Sequence, residues 1–407
     1  MRELDGYDRM VDPHAVTSGG SHVKPLSSLA EALPRSGIRE IMALASQMEN
    51  VVNLSVGEPS FNTPTHIIDA AFEAAGRGET KYTSNYGTPK LRQAIADKYT
   101  EAWGTTVTPD RVLASTGGVN AIIAMIYAIV EPGDEILVPD PGWPNYISAA
   151  GLAHATPVRY PCQIEDGFLP DLDALEKLIT PKTKILITCN PSNPTGVVFP
   201  AETVEALVKL AKKHDLYLLS DEMYEALVFD GVHIPAAKYD EDGRVITISG
   251  FSKTFAMTGW RLGYAIANPE LILLAGKMME PMTSCPTAIS QAAGIAAIKG
   301  PQDCVEAMRQ AYLNRRNIAR DLLWPAGLLP VVPQGAFYAL IDLRCTGMSG
   351  RDLALGLLKE EKVALAPGDT FGHVTANGMV RLSLASSDED VAEGCRRIIR
   401  FANNHRQ

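Results

Sequence analysis

The sequence predicts an α/β protein: a sheet of strands buried on both faces, helices on either side of it, and a smaller α+β domain after it. Three observations carry that expectation. Short, continuous apolar runs rich in β-branched residues recur between about residues 110 and 267, as expected for strands covered on both faces. Stretches with apolar positions every three or four residues alternate with them, the pattern of helices laid on a sheet. From about residue 300 the texture changes to longer amphipathic helical patterns around a few short strand-like segments.

In chain order, the strand-like runs are Arg111 to Ser115, Glu135 to Pro139, Lys184 to Cys189, Leu216 to Ser220, Val245 to Ser249 and Leu262 to Ala267. Val119 to Val130 and Ala201 to His214 read as helices between them. Glu131-Pro132-Gly133-Asp134 and Asp140-Pro141-Gly142 have turn chemistry, and Asn190 to Gly196 is a Pro-, Asn- and Gly-rich loop following a strand. Loops in that position are where α/β sheets place ligands. The later part offers an amphipathic helix at Glu306 to Leu323, the segment Gln334-Gly335-Ala336-Phe337-Tyr338, and a terminal helix at Asp388 to Asn403. No internal repeat or low-complexity tract interrupts this order.

Composition excludes several classes of function. With 407 residues, 46% of them hydrophobic, the chain can bury a large core. Its net charge of -10 supplies no basic excess for nucleic acid or anionic lipid. Met1 to Lys24 mixes acidic and basic residues without an apolar centre, so it reads as an arm rather than a signal peptide or a membrane span. Ala121 to Val130, the longest apolar stretch, is too short to cross a bilayer and reads as a buried helix. The six cysteines form no Cys-x-x-Cys pair and read as reduced thiols, which points to the cytosol. No His-Glu-x-x-His spacing suggests a metal.

The residues that invite chemistry lie at strand ends. Lys253, in Ser252-Lys253-Thr254-Phe255-Ala256-Met257-Thr258-Gly259-Trp260-Arg261, follows an apolar run and has hydroxyl, aromatic and small neighbours. Burial there would lower the amine's pKa and make it nucleophilic. Thr116-Gly117-Gly118 stands at the start of a helix, where free backbone N–H groups and the helix dipole can hold a phosphate, although a Gly-Gly also serves as a plain tight turn. Asp221, in Asp221-Glu222-Met223-Tyr224, can hold a heteroaromatic nitrogen protonated or merely cap a turn. Tyr224 could reach the same ligand. Asn190-Pro191-Ser192-Asn193-Pro194-Thr195-Gly196 is either a rigid turn or a mount for a side-chain amide. Trp143 covers the core or stacks on a planar cofactor. Arg381, in Val380-Arg381-Leu382-Ser383-Leu384, is displayed on an exposed strand face or grips a carboxylate through its fork.

In their order along residues 35 to 400, and above all in SKTFAMTGWRLGY and NPSNPTG, these motifs closely resemble the class I/II aminotransferases of the aspartate aminotransferase superfamily. The resemblance implies the type I fold of pyridoxal 5′-phosphate enzymes. That means a large domain, residues 61–289, with a mostly parallel seven-stranded sheet sandwiched by helices, and a small α+β domain of residues 35–60 and 290–407. Residues 1–34 are then an N-terminal arm. By matched position, Lys253 would carry the cofactor as a Schiff base and shuttle a proton at the substrate's α-carbon. Asp221 would keep the pyridine nitrogen protonated, Asn193 and Tyr224 would bind the ring oxygen, and Trp143 would stack on the ring. Gly117, Gly118, Ser252 and Arg261 would hold the phosphate. Tyr82, in Lys81-Tyr82-Thr83-Ser84-Asn85-Tyr86-Gly87, would reach the phosphate of a neighbouring subunit, which implies a homodimer. Arg381 would grip the α-carboxylate, with the backbone at Gly57, Trp143 and Asn193 completing the substrate pocket. One position departs from the family pattern: Gly250 stands where many relatives carry a hydroxyl, and Ser252 or Ser249 would compensate.

The implied activity is transfer of an amino group from an amino acid to a 2-oxo acid. Two rivals share the scaffold: a lyase carrying out elimination, and a ligand-sensing module, for which the chain offers no DNA-binding segment. The sequence assigns no arginine to a second substrate carboxylate, so dicarboxylic, aromatic and small neutral amino acids all stay open, and Tyr127 is a candidate for shaping the side-chain pocket. A neutral or aromatic donor, with 2-oxoglutarate or pyruvate as acceptor, is expected.

Overall fold

The computed structural model describes residues 26–33 and 36–407. Residues 26–33 contain one short helix, Ser28–Ala32, capped by the Ser27 hydroxyl; the rest of the expected arm lies outside the described residues.

Seven strands form one sheet. Their order across it is Val112–Ser115, Gly263–Ile266, Val245–Gly250, Tyr217–Asp221, Thr183–Cys189, Glu135–Asp140 and Thr156–Pro161. Only Gly263–Ile266 runs antiparallel to both neighbours, and the other pairings are parallel. Side chains alternate between the faces of a strand, and both faces here are covered. Leu219, Ile246 and Ile187 pack with Met125 and Ile126 of the helix Gly118–Ile129 and with Met279 of Pro269–Thr283. Their neighbours Leu218, Val245 and Leu186 pack with Val204, Leu207 and Val208 of Ala201–Lys213. That double burial is why these strands read as unbroken apolar runs. Each fully buried Leu or Ile contributes roughly 1.5–3 kcal/mol, so the sheet can hold strained and polar groups at its rim.

Six strands fall within a residue or so of the predicted runs. Sequence periodicity missed the seventh, Thr156–Pro161, although the family resemblance implied seven. This edge strand carries two prolines and Arg159 and is mostly half-buried, so it has no apolar run to detect. Prolines are tolerated there because an edge strand leaves some N–H groups unpaired.

A second sheet of three antiparallel strands has Met379–Ser383 between Ala366–Pro367 and Tyr338–Asp342. Its core includes Tyr338, Ile341, Val380 and Leu382. Ile41, Tyr312, Leu353 and Ile398 of the surrounding helices pack against them. Arg381 sits mid-strand, opposite Leu340 on one side and Ala366 on the other.

The parallel strands end in Asp221, Cys189 and Asp140 at one rim of the large sheet. The antiparallel strand Gly263–Ile266 starts at that rim, since Gly263 pairs with Gly250. The chain from 251 to 262 therefore makes a short loop there, and this loop carries Ser252, Lys253 and Arg261.

Candidate active site

Lys253 is held where its charge is disfavoured. Its Nζ donates to the Gly57 carbonyl at 2.5 Å and lies 5.9 Å from the Phe337 ring centre; among the described residues it makes no ion pair. Burial pulls the amine down to about 8, against the opposing attraction of Glu58. An amine near 8 is partly neutral at physiological pH, as a nucleophile or a proton carrier requires.

Asp221 is 5% exposed. Tyr146 donates its hydroxyl to Asp221 Oδ2 at 2.6 Å, and the Met223 amide donates to Oδ1 at 3.2 Å. Burial nevertheless pushes the carboxyl up to about 6, with Tyr146 pulling the other way. A buried carboxylate with no cation paired to it is a ready partner for a cationic ligand atom.

Arg381 is 2% exposed, so the strand does not display it to solvent. The guanidinium lies 4.2 Å from the ring centre of Tyr338 and 4.7 Å from that of Phe371. Nη1 donates to Asn193 Oδ1 at 3.0 Å and Nη2 to the Ser55 carbonyl at 2.9 Å, while Nε is buried without a partner among the described residues. An unmade hydrogen bond of this kind costs about 1–3 kcal/mol. Tyr224 joins the group through its hydroxyl, 3.0 Å from that of Tyr338. The stiff loop is itself closed: Asn190 Oδ1 accepts from the Phe199 amide, and the Gly196 amide donates to the Ser192 carbonyl. This leaves Asn193 free to face Arg381. Gly57 completes the group, since a Cβ there would run into the Tyr338 hydroxyl.

At the helix start, Gly117 has φ +83° and serves as N-cap with no side-chain hydrogen bond of its own to the helix end. A Cβ on Gly117 would lie 2.5 Å from Arg261 Nη2, and one on Gly263 would lie 2.5 Å from the Gly118 nitrogen. Only glycines let the guanidinium rest against this terminus. Arg261 Nη1 donates to the Thr258 carbonyl and Nη2 to the Thr116 carbonyl, and Thr116 Oγ1 is buried without a partner. Ser252 is buried in the same loop. Of the two serines expected to compensate for Gly250, Ser249 turns its hydroxyl to Glu225 Oε1 at 3.4 Å, toward a different cluster. Gly250 itself has little room, because a Cβ would press 3.0 Å from Gly263 Cα.

Three further expected residues stand apart from these hydrogen-bonded groups. Tyr127 braces two helices by donating to the Leu152 carbonyl at 2.7 Å. Trp143 is half-buried, edge-on to Tyr146 at 5.5 Å. Tyr82 is 91% exposed and lines a shallow hollow with Glu280, Ser284 and Cys285, none of which belongs to the Lys253 group. The sequence reading missed Tyr146 and Phe371, and it did not single out Tyr338. The only available signal was that Tyr146 lies in the Trp143 motif.

These groups fit pyridoxal 5′-phosphate. An amine, an acid and a helix terminus backed by arginine match its aldehyde, ring nitrogen and phosphate, and among the described residues each lacks an ion-pair partner.

The chain matches the family described as aminotransferase class I and II over residues 49–398. It is 37% identical to the aspartate/prephenate aminotransferase of Thermus thermophilus, over 93% of this chain and 99% of that one. It is 38% identical to aromatic-amino-acid aminotransferase 2 of Thermococcus litoralis, over 92% and 97% respectively. Among solved structures, the aspartate aminotransferase from Thermus thermophilus with maleate is similar at a TM-score of 0.89 and 37% identity, covering 93% of this chain and 100% of that one.

Proposed function

The chain belongs to the class I and II aminotransferases, and from that premise we propose which of its residues carry the reaction and what donor it takes. It is a pyridoxal 5′-phosphate enzyme of the type I fold that moves an amino group from an amino acid to a 2-oxo acid. When bound, the cofactor supplies an electron sink for the pair left on the substrate's α-carbon. Lys253 takes the proton from that carbon and returns it one position away; its pKa near 8 suits it to both directions. Asp221 keeps a proton on the ring nitrogen through an ion pair in a dry site. Asn193 and Tyr224 hold the ring oxygen, and Trp143 covers a ring face. Gly117, Gly118, Ser252 and Arg261 hold the phosphate. Arg381 takes the α-carboxylate beside Gly57, and its unpartnered Nε is the single observation that carries this assignment.

The donor follows from a count of cations. Lys253, Arg261 and Arg381 each have a role in this scheme, and a second carboxylate would need another cation. A neutral or aromatic donor is therefore favoured, with 2-oxoglutarate or pyruvate as acceptor. The names of several relatives favour aspartate instead, and that reading needs a further cation, which a second subunit could bring. A second copy is itself supported by Tyr82 and by the exposed Leu274, Met278 and Met282, spaced four apart along Pro269–Thr283. Buried between two chains, that face would contribute to a dimer interface in which Tyr82 reaches its neighbour's phosphate. Six unpaired thiols support a cytosolic setting.

The test is the absorbance spectrum of the purified protein as amino acids are added singly, with Lys253→Ala as control and the mass read by light scattering. The expected result is a dimer whose bound-cofactor band is converted by neutral or aromatic donors with release of a 2-oxo acid. A strict preference for aspartate would overturn the donor assignment, and a monomer of full activity would overturn the role of Tyr82.

A further inference from the structure

Two acids in the turn after the strand Tyr217–Asp221 take no part in the site above. Glu222 is 0% exposed. Its Oε1 accepts from the Ser220 hydroxyl at 2.9 Å and the Ala236 amide at 3.1 Å, and its Oε2 lies 2.9 Å from His233 Nε2. Glu225 Oε1 accepts from the Lys98 ammonium at 2.6 Å and the Tyr99 hydroxyl at 2.8 Å. One ligating atom each of Glu222, Glu225 and His233 lie within 4.8 Å of one another. Two carboxylates thus share a small, largely buried volume in which, among the described residues, one permanent cation, Lys98, is paired with them. Balance requires a second positive charge, and His233 is the group placed to carry it.

His233 touches Glu222 through Nε2 alone, since its Nδ1 is buried without a partner. Burial pulls the imidazolium down, but Glu222 and Glu225 together outweigh that and hold it above its ordinary value. Facing His233 are Glu222, Glu225 and Lys98. Facing Asp221 are Tyr146, Glu222 and Lys253, with Cys189 beside it on the adjacent strand. Glu222 is next to Asp221 in the chain, and its negative charge opposes ionisation of that acid.

We infer that His233 is a positioning residue for the reaction: through Glu222 it fixes the turn carrying Asp221 and Tyr224, and its positive charge keeps Asp221 ionised. This rests on the proposed role of Asp221 at the ring nitrogen. Without the imidazolium, Glu222 stands less compensated, Asp221 keeps its proton to higher pH, and the cofactor is held less well below that point.

The experiment is an absorbance titration with pyridoxal 5′-phosphate across about pH 5–9, giving the dissociation constant at each pH. It compares the unaltered enzyme with His233→Gln, His233→Lys, Glu222→Gln and Asp221→Asn. His233→Gln should move the acid limb of affinity up by about one pH unit, a weakening of about tenfold on the limb. His233→Lys restores the charge and should return it, while Glu222→Gln removes the opposing charge and should move it down. Asp221→Asn should abolish the limb. An unmoved limb in both His233→Gln and Glu222→Gln overturns the inference, even if both unfold more readily. A limb that survives in Asp221→Asn overturns the role of Asp221, and the inference with it.

Discussion

Two clusters of buried charge meet at the turn Asp221–Glu225, and they are completed in different ways. In the cluster of Glu222, Glu225, Lys98 and His233, every charged side chain has a partner of opposite sign or a hydrogen bond. In the cluster of Lys253, Asp221 and Arg381, the charges are as deeply buried, yet none is paired with another: Lys253 rests on a carbonyl, Asp221 on a phenol, and Arg381 on an amide and a carbonyl. The first cluster behaves as scaffold. The second stays uncompensated until a ligand supplies the missing charges, and burial alone would not have told the two apart.

Removing one cation from each cluster in the cofactor-free protein should break the comparison most sharply. Lys98→Met leaves Glu225, 13% exposed, without its cation and should cost about 2–4 kcal/mol of stability, short of a fully buried pair because Lys98 is 34% exposed. Lys253→Met removes an amine that folding disfavours and should leave stability unchanged or raise it by about 1–3 kcal/mol. Urea unfolding of both variants decides it; equal losses would mean that the two clusters do not differ in kind.

A smaller effect separates the clusters by pH. The folded carboxyl of Asp221 titrates near 6, above its unfolded value, so its contribution to stability is full at low pH and is lost as pH rises through 6. The Lys253 amine titrates near 8, below its unfolded value, so its contribution returns only as pH rises above 8. Both charges are therefore unfavourable between these values. In the cofactor-free protein, the stability advantage of Asp221→Asn should grow by on the order of 2–3 kcal/mol between about pH 4 and pH 7. An advantage independent of pH would remove Asp221 from the uncompensated cluster.

Tyr146→Phe sharpens the contrast least. It removes the one strong donor to Asp221 without a change of charge, and should weaken cofactor binding at neutral pH about fivefold, the equivalent of about 1 kcal/mol. Binding as tight as in the unaltered enzyme would make that hydrogen bond irrelevant to the site.

Much of this arrangement was legible in the sequence, for physical reasons. Strands covered on both faces must be apolar throughout, so Thr183–Cys189 and Val245–Gly250 stood out, as did a lysine just past a strand end. Gly117 and the Asn190–Gly196 loop announced themselves because few residues tolerate such backbone positions. What stayed hidden depends on tertiary register. Tyr146 meets Asp221 across 75 residues of chain, and nothing local marks that meeting. Val380-Arg381-Leu382 has the alternation of a strand with one wet face, yet Tyr338 and Phe371 cover Arg381. Tyr127 lies on the first helix of the site but spends its hydroxyl on a neighbouring helix. Glu222 looked like part of a turn, and only the fold brings His233 to it.

The short loop from strand to antiparallel strand has a consequence in chain entropy. Lys253 and Arg261 are eight residues apart in the sequence, whereas Arg381 reaches Asn193 across 188. Closure entropy grows with the logarithm of loop length, so uniting the second pair costs about 3 kcal/mol more than the first. Within the half proposed for the phosphate, the loop that carries Ser252, Lys253 and Arg261 is a local structure, and its meeting with the helix start at Thr116 is the step that spans 145 residues. The half suited to the substrate's carboxylate exists only when distant parts of the chain are held together, and it draws on the stability of the whole fold.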